Sequence, residues 1–187
     1  MNYWQNNLIR LRAIEPTDVE TFFQWDLDSQ RGRYLDFLWP PSSRARLKNW
    51  LDEQAKAKPE GDCHHLIIET LNGTPVGTIA THNCNARNGT FSYGLDIAVE
   101  HRRKGYASAA IDLVLRYFFD HLRYQKVTVM VHSDNIPSLL LHERLGFQRE
   151  GTLRRMIFQD GQYYDEIYLG LTVEEFRQNY GVFLVSD

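Results

Sequence analysis

The chain lacks long apolar runs. Nothing in its 187 residues approaches the about 20 consecutive apolar positions a spanning helix needs, so no transmembrane segment is expected. Its first residues lack the basic stretch and apolar core of a signal peptide, which makes the cytoplasm the expected compartment. Cysteine is scarce. Cys63 and Cys84 are too few for a disulfide framework and are not spaced as metal ligands, so two reduced thiols are expected. No histidine, cysteine and carboxylate cluster has metal-ligand spacing, and the adjacent His64 and His65 alternate faces on a strand, so no metal is expected. Neither sign of charge dominates. With 21 Lys and Arg against 24 Asp and Glu the net charge is −3, which argues against a partner held mainly through nucleic-acid phosphates. Gly-x-Gly-x-x-Gly and Gly-x-x-x-x-Gly-Lys-Ser/Thr are both missing, which disfavours a nucleotide-binding module.

What is present reads as one domain with a sizeable core, spanning 1–187. Leu8 to Ile14 alternates like a strand. Thr17 and Glu20 have the spacing of a capping box for a short helix through Trp25, and Ser42 or Ser43 can cap a second with Leu47, Trp50 and Leu51 on one face. Between them, 34–41 reads as a loop rich in aromatics and proline. Strands are expected at 63–71 and 75–82 around the turn Asn72-Gly73, then at 90–99. A helix over 105–121, a strand at 126–132, a helix over 135–145 and strands at 147–158 and 163–171 follow. Thr172 to Glu175 can open a terminal helix. This order predicts a mixed α/β fold with helices on both faces of the sheet.

Between the strand and the helix in the middle of the chain stands Arg102-Arg103-Lys104-Gly105-Tyr106-Ala107. The first turn of a helix carries backbone N–H groups without internal partners and a partial positive charge. Gly105 and Ala107 leave those groups uncovered, and three cations flank them. The pattern is a seat for a pyrophosphate.

Arg102-x-x-Gly105-x-Ala107, followed by Val127 to Val131, Asn135-Ile-Pro-Ser138 and Leu145-Gly146-Phe147, resembles the GCN5-related N-acetyltransferase (GNAT) family over about residues 8–172. It is most similar to the branch with ribosomal-protein N-terminal acetyltransferases and small-molecule relatives. The resemblance implies the acyl-CoA N-acyltransferase fold, a twisted, mostly antiparallel sheet with a splayed central strand pair. It implies transfer of the acetyl group of acetyl-CoA to a primary amine by direct attack in a ternary complex. The rival reading is a non-catalytic acyl-CoA-binding or sensory domain.

The resemblance also assigns residues. Arg102, Arg103, Lys104, Gly105, Tyr106, Ala107 and Ser108 would hold the pyrophosphate. Ile97, Ala98 and Val99 would bond the pantetheine arm, and an N–H near Ile97 or Ala98 would polarise the thioester carbonyl. Asn135, with Ser138 after it, would bond the cofactor arm, though as a helix N-cap it needs no such role. His142 stands where many members carry the tyrosine that protonates the leaving thiolate. It is read either as that acid or as a contact residue without proton transfer. By their position on or beside the central strand, Tyr93, Asp96 and Glu100 are the candidates for receiving the amine's proton, Asp96 alternatively being a solvent-facing or salt-bridged residue. Phe37, Leu38, Trp39, Tyr163 and Tyr164 would wall the acceptor, a small molecule or a protein N-terminus. The apolar end 181–187 suggests a docked tail or a homodimer.

Overall fold

The structure, a computed structural model, describes residues 2–35, 38, 40–58 and 61–180. They fall into two compact units, 1–84 with 93–116, and 85–92 with 117–187.

The first unit carries strands β1 (Ile9–Ala13), β2 (His65–Thr70), β3 (Pro75–Asn85) and the later part of β4 (Thr90–Ile97), hydrogen-bonded in that order. β1 and β2 are antiparallel from Ile9↔Thr70 to Ala13↔Leu66, and β2 and β3 from His65↔Ala80. The expected hairpin turn forms, with Gly73 at φ +86° and its N–H on the Thr70 carbonyl at 2.9 Å. β3 and β4 approach closely. The N–H of Ala98 donates to Val76 at 2.9 Å, and a Cβ on Gly77 would lie 2.0 Å from the carbonyl oxygen of Asp96.

Four helices belong to this unit: α1 (Val19–Asp26), α2 (Ser29–Leu35), α3 (Arg44–Lys56) and α4 (Tyr106–Arg116). Phe22 and Trp25 of α1 and Leu47 and Leu51 of α3 pack with Ile14, Ile67 and Ala98 in one buried cluster. Ser43 caps α3 as its sequence suggests, accepting from the Arg46 N–H at 3.2 Å. The entry to α1 differs from the expected box. Asp18, not Glu20, closes it by accepting the Glu15 N–H at 2.9 Å, because Arg12 holds the Asp18 carboxylate there at 2.7 and 2.9 Å. α2 occupies part of the stretch read as loop.

The second unit begins with the first residues of β4, then β5 (Lys126–His132), β6 (Gln148–Gln159) and β7 (Gln162–Thr172), in the order β4-β5-β7-β6. The parallel register of β4 with β5 covers Thr90↔Lys126 and Phe91↔Val127. β5 with β7 and β6 with β7 are antiparallel, the latter with register shifts at Arg149/Gly151 and Leu153/Ile157. Phe91 stacks on Phe118 at 3.9 Å, Tyr124 meets both edge-on, and Phe119 packs on Phe176. The long helix expected to 121 stops at Arg116 and continues as one wider π turn over Tyr117–His121, burying Phe118 and Phe119. α5 (Ile136–Arg144) and α6 (Val173–Tyr180) complete the unit. Thr172 and Glu175 form the expected reciprocal cap at 2.8 and 3.3 Å. The tail 181–187 lies outside the described residues. Among the described residues no helix is long and apolar enough to cross a membrane.

Candidate functional site

β4 ends at Ile97, a short turn over Val99–His101 follows, and the chain reaches α4 through Arg102 to Gly105. Arg103 at φ +63° and Gly105 at φ +83° both take the left-handed conformation, which turns the loop sharply onto the helix axis. The first α4 amide bonded back along the chain is that of Ala109, on the Gly105 carbonyl at 3.1 Å. The amides of Tyr106, Ala107 and Ser108 precede it and have no acceptor within the helix. A Cβ added at Gly105 would rest in ordinary contact with Leu8 Cδ2 at 3.5 Å, so the left-handed backbone, not crowding, is what calls for glycine here. Arg103 and Lys104 are exposed, and Lys104 Nζ donates to the Glu100 carbonyl at 3.0 Å. The loop is thus a shallow cradle of donors and positive charge, suited to a polyanion.

The strand before it is more committed than its sequence suggests. Ala98 is buried and its N–H is taken by Val76, so that donor is not open to a ligand carbonyl. Ile97 is buried, its carbonyl accepts Arg102 Nε at 2.9 Å, and Val99 is exposed. Tyr93 lies in the core. Asp96 is buried in an ion pair with Arg31 of α2, both side chains 8% exposed, and its other oxygen lies 3.7 Å from Arg102 Nη2. A carboxylate so placed faces a cation with each of its oxygens. Arg31 escaped the sequence reading, since nothing local marks one arginine in a polar segment as buried. A cleft of about 440 Å³ opens beside it, lined among others by Gln24, Trp25, Asp28, Arg31, Val99 and Glu100.

In the second unit, Asn135 caps α5, its side-chain oxygen accepting the Ser138 N–H at 3.2 Å. One helix face then carries Ser138 and His142. His142 is 2% exposed, its ring edge-on to Phe147 at 5.0 Å, and Nδ1 lies 2.8 Å from the Ser138 carbonyl. A carbonyl only accepts, so Nδ1 carries the proton and Nε2 is the basic nitrogen of a neutral ring. Burial lowers the His142 pKa, and the bond to Ser138 offsets part of that.

This shift has a consequence for stability. With its folded pKa below the ordinary value of about 6.5, the native chain binds fewer protons here than the unfolded one. The stabilisation is present above the unfolded pKa and is lost as pH falls through the folded one. Burial lowers His64, His65 and His82 in the same direction. The melting temperature should fall between about pH 7.5 and pH 5, and His142→Phe should shrink that fall, as read by thermal scans across pH. An unchanged slope would show that His142 titrates normally.

Of the aromatic residues expected at the acceptor, Phe37 and Trp39 lie outside the described residues, and Leu38 is exposed. Tyr163 is exposed, packs on Phe158 at 5.0 Å and lies under the Arg155 guanidinium at 4.5 Å, while Tyr164 is half-buried. Among the described residues no three His, Cys, Asp or Glu side chains are grouped to hold a metal ion.

The profile of the family described as "Acetyltransferase (GNAT) domain" matches residues 9–148. The SPbeta prophage-derived uncharacterized N-acetyltransferase YokL of Bacillus subtilis is 42% identical over 97% of this chain and 99% of its own length. The putative ribosomal N-acetyltransferase YdaF of the same organism is 28% identical over 92% of this chain and 95% of its own. Among solved structures, the fold is similar to spermidine N-acetyltransferase from Vibrio cholerae in complex with CoA and spermine. That comparison has a TM-score of 0.79 and 22% identity, over 91% of this chain and 99% of that one.

Proposed function

The chain belongs to the GNAT acetyltransferase family and moves the acetyl group of acetyl-CoA to an amine, and from that premise we propose how its residues divide the work. The pyrophosphate of CoA lies on residues 102–108, with the amides of Tyr106, Ala107 and Ser108 as donors and Arg103 and Lys104 as neighbouring charge. The observation that carries this is the left-handed turn at Arg103 and Gly105, which brings the chain onto the mouth of α4. The pantetheine arm runs along the backbone of Ile97 to Val99. Because Ala98 N–H is engaged by Val76, the donor for the developing oxyanion is assigned to Ile97 N–H.

The amine attacks the thioester directly. Burial pushes the Cys84 thiol up to about 12, with Cys63 beside it, so it is no thiolate at neutral pH and forms no acetyl-enzyme. His142 is assigned as a neutral contact residue and not as the acid. Its Nδ1 proton is spent on Ser138, and a thiolate whose parent thiol has a pKa near about 8.5 leaves unaided. The acceptor is assigned as a small primary amine, a reading supported by the spermine in the complex of the similar Vibrio cholerae enzyme. The protein is proposed to act as a homodimer in the cytoplasm.

Thiol release from acetyl-CoA tests the acceptor assignment. The panel is spermine, spermidine, an aminoglycoside and a peptide with a free N-terminus. One of the small amines should support turnover above background hydrolysis by at least about 100-fold. Turnover with the peptide alone would move the acceptor to a protein N-terminus.

A further inference from the structure

Asp96 is the carboxylate within β4, and it faces two cations from two elements. One oxygen is bonded to Arg31 Nε, with both side chains buried, and the Arg31 guanidinium lies 5.0 Å over the Trp25 ring. The other oxygen is 3.7 Å from Arg102 Nη2, too long for a hydrogen bond. Arg102 is 39% exposed, is steadied by its Nε bond to Ile97, and is the first residue of the phosphate loop. The carboxylate therefore holds Arg31 tightly and Arg102 loosely.

A buried ion pair is a poor way to gain stability. Two apolar side chains of similar volume usually serve as well or better, whereas removing one partner strands a charge. The placement of this pair says what else it does. Arg31 is the third residue of α2, its N–H bonded to Asp28 at 3.1 Å, and α2 leads into 36–43, the aromatic and proline segment ahead of α3. Asp96 is the bolt that fastens α2 to β4. Its second oxygen senses the residue that a bound phosphate would attract.

We infer that Asp96 is a positioning residue that couples the phosphate loop to α2, so that an anion on the loop steadies that helix. When the CoA pyrophosphate draws Arg102 away, the carboxylate is left to Arg31 alone. The carboxylate can then turn both oxygens to the Arg31 guanidinium, a fork that takes a carboxylate in two parallel hydrogen bonds, and α2 is held more firmly against β4. The coupling is reciprocal: an acceptor that favours the seated α2 also favours CoA on the loop. The inference rests on the cofactor reading of residues 102–108.

Hydrogen exchange with CoA alone as the probe tests it without any acceptor. In the wild type, saturating CoA should slow amide exchange over residues 27–35 by at least about threefold. The double variant Asp96→Leu with Arg31→Met should melt within a few degrees of wild type and still bind CoA by calorimetry, yet show no slowing there. Asp96→Asn with Arg31→Gln, which keeps polar side chains and strands no charge, should also lose the response and covers the case in which the apolar pair does not fold. Slowing of equal size in a folded variant would overturn the coupling and leave the pair as packing only. Wild-type CoA binding without slowing would overturn it too, while leaving the cofactor reading intact. No CoA binding to wild type would remove both.

Discussion

Gly105→Glu should abolish CoA binding, raising Kd by at least about 100-fold, a loss of about 2.7 kcal/mol or more. Two effects act together. The position has φ +83°, where a side chain costs roughly 1–2 kcal/mol, so the loop itself is strained. The carboxylate would also bring a negative charge to the loop whose amides and cations are proposed to hold the phosphate. Gly105→Asn separates these terms, because asparagine tolerates the left-handed conformation and carries no charge. It should weaken binding far less at nearly unchanged melting temperature. Calorimetry with CoA on both folded variants reads the difference. Unchanged affinity in Gly105→Glu would remove the phosphate seat from this loop.

Gly77→Ala should be strongly destabilising. Its Cβ would lie 2.0 Å from the Asp96 carbonyl oxygen and 3.0 Å from both the Asp96 carbonyl carbon and Ile97 Cα, all of them backbone atoms that no rotamer change can move. β3 must separate from β4 to admit it. The expected cost is about 3 kcal/mol or more, at the upper end of overpacking penalties. That corresponds to a melting temperature lower by roughly 6–12 °C in a chain of this size. The displaced strand is the one that presents Ile97 to Val99, so CoA affinity should fall as well. Gly94→Ala on β4 is the internal control: nothing lies within 4 Å of its added Cβ, and its melting temperature should barely change. Equal stability of the two variants would mean that β3 and β4 are not held at this spacing.

Local geometry was legible beforehand: the glycine entrance to α4 and Asn135, three residues before the amide that it caps. The acid-base end was not legible. Whether Asp96 is a free base or a bound counter-ion depends on Arg31, 65 positions away in sequence. Whether His142 can donate a proton depends on which nitrogen meets the Ser138 carbonyl and on how deeply the ring is buried.

By itself, the sequence determined the elements whose causes lie within one turn of chain. These are the Asn72-Gly73 hairpin, the Ser43 cap, the Thr172 and Glu175 cap, the strand 126–132 and the glycine entrance to α4. Helix propensity, turn dihedrals and capping bonds act over a few residues, so the residues in place suffice to specify them. Tertiary structure alone decided the rest. α2 forms from a polar, glycine-containing segment in which Arg31 is matched to Asp96. Asp18 took the cap from Glu20 because Arg12 fixed its carboxylate. Ala98 lost its open donor because β3 lies beside it. In each case the deciding term is desolvation, or a charge brought from a distant part of the chain. Such terms exist only once folding has removed water and brought separated residues together.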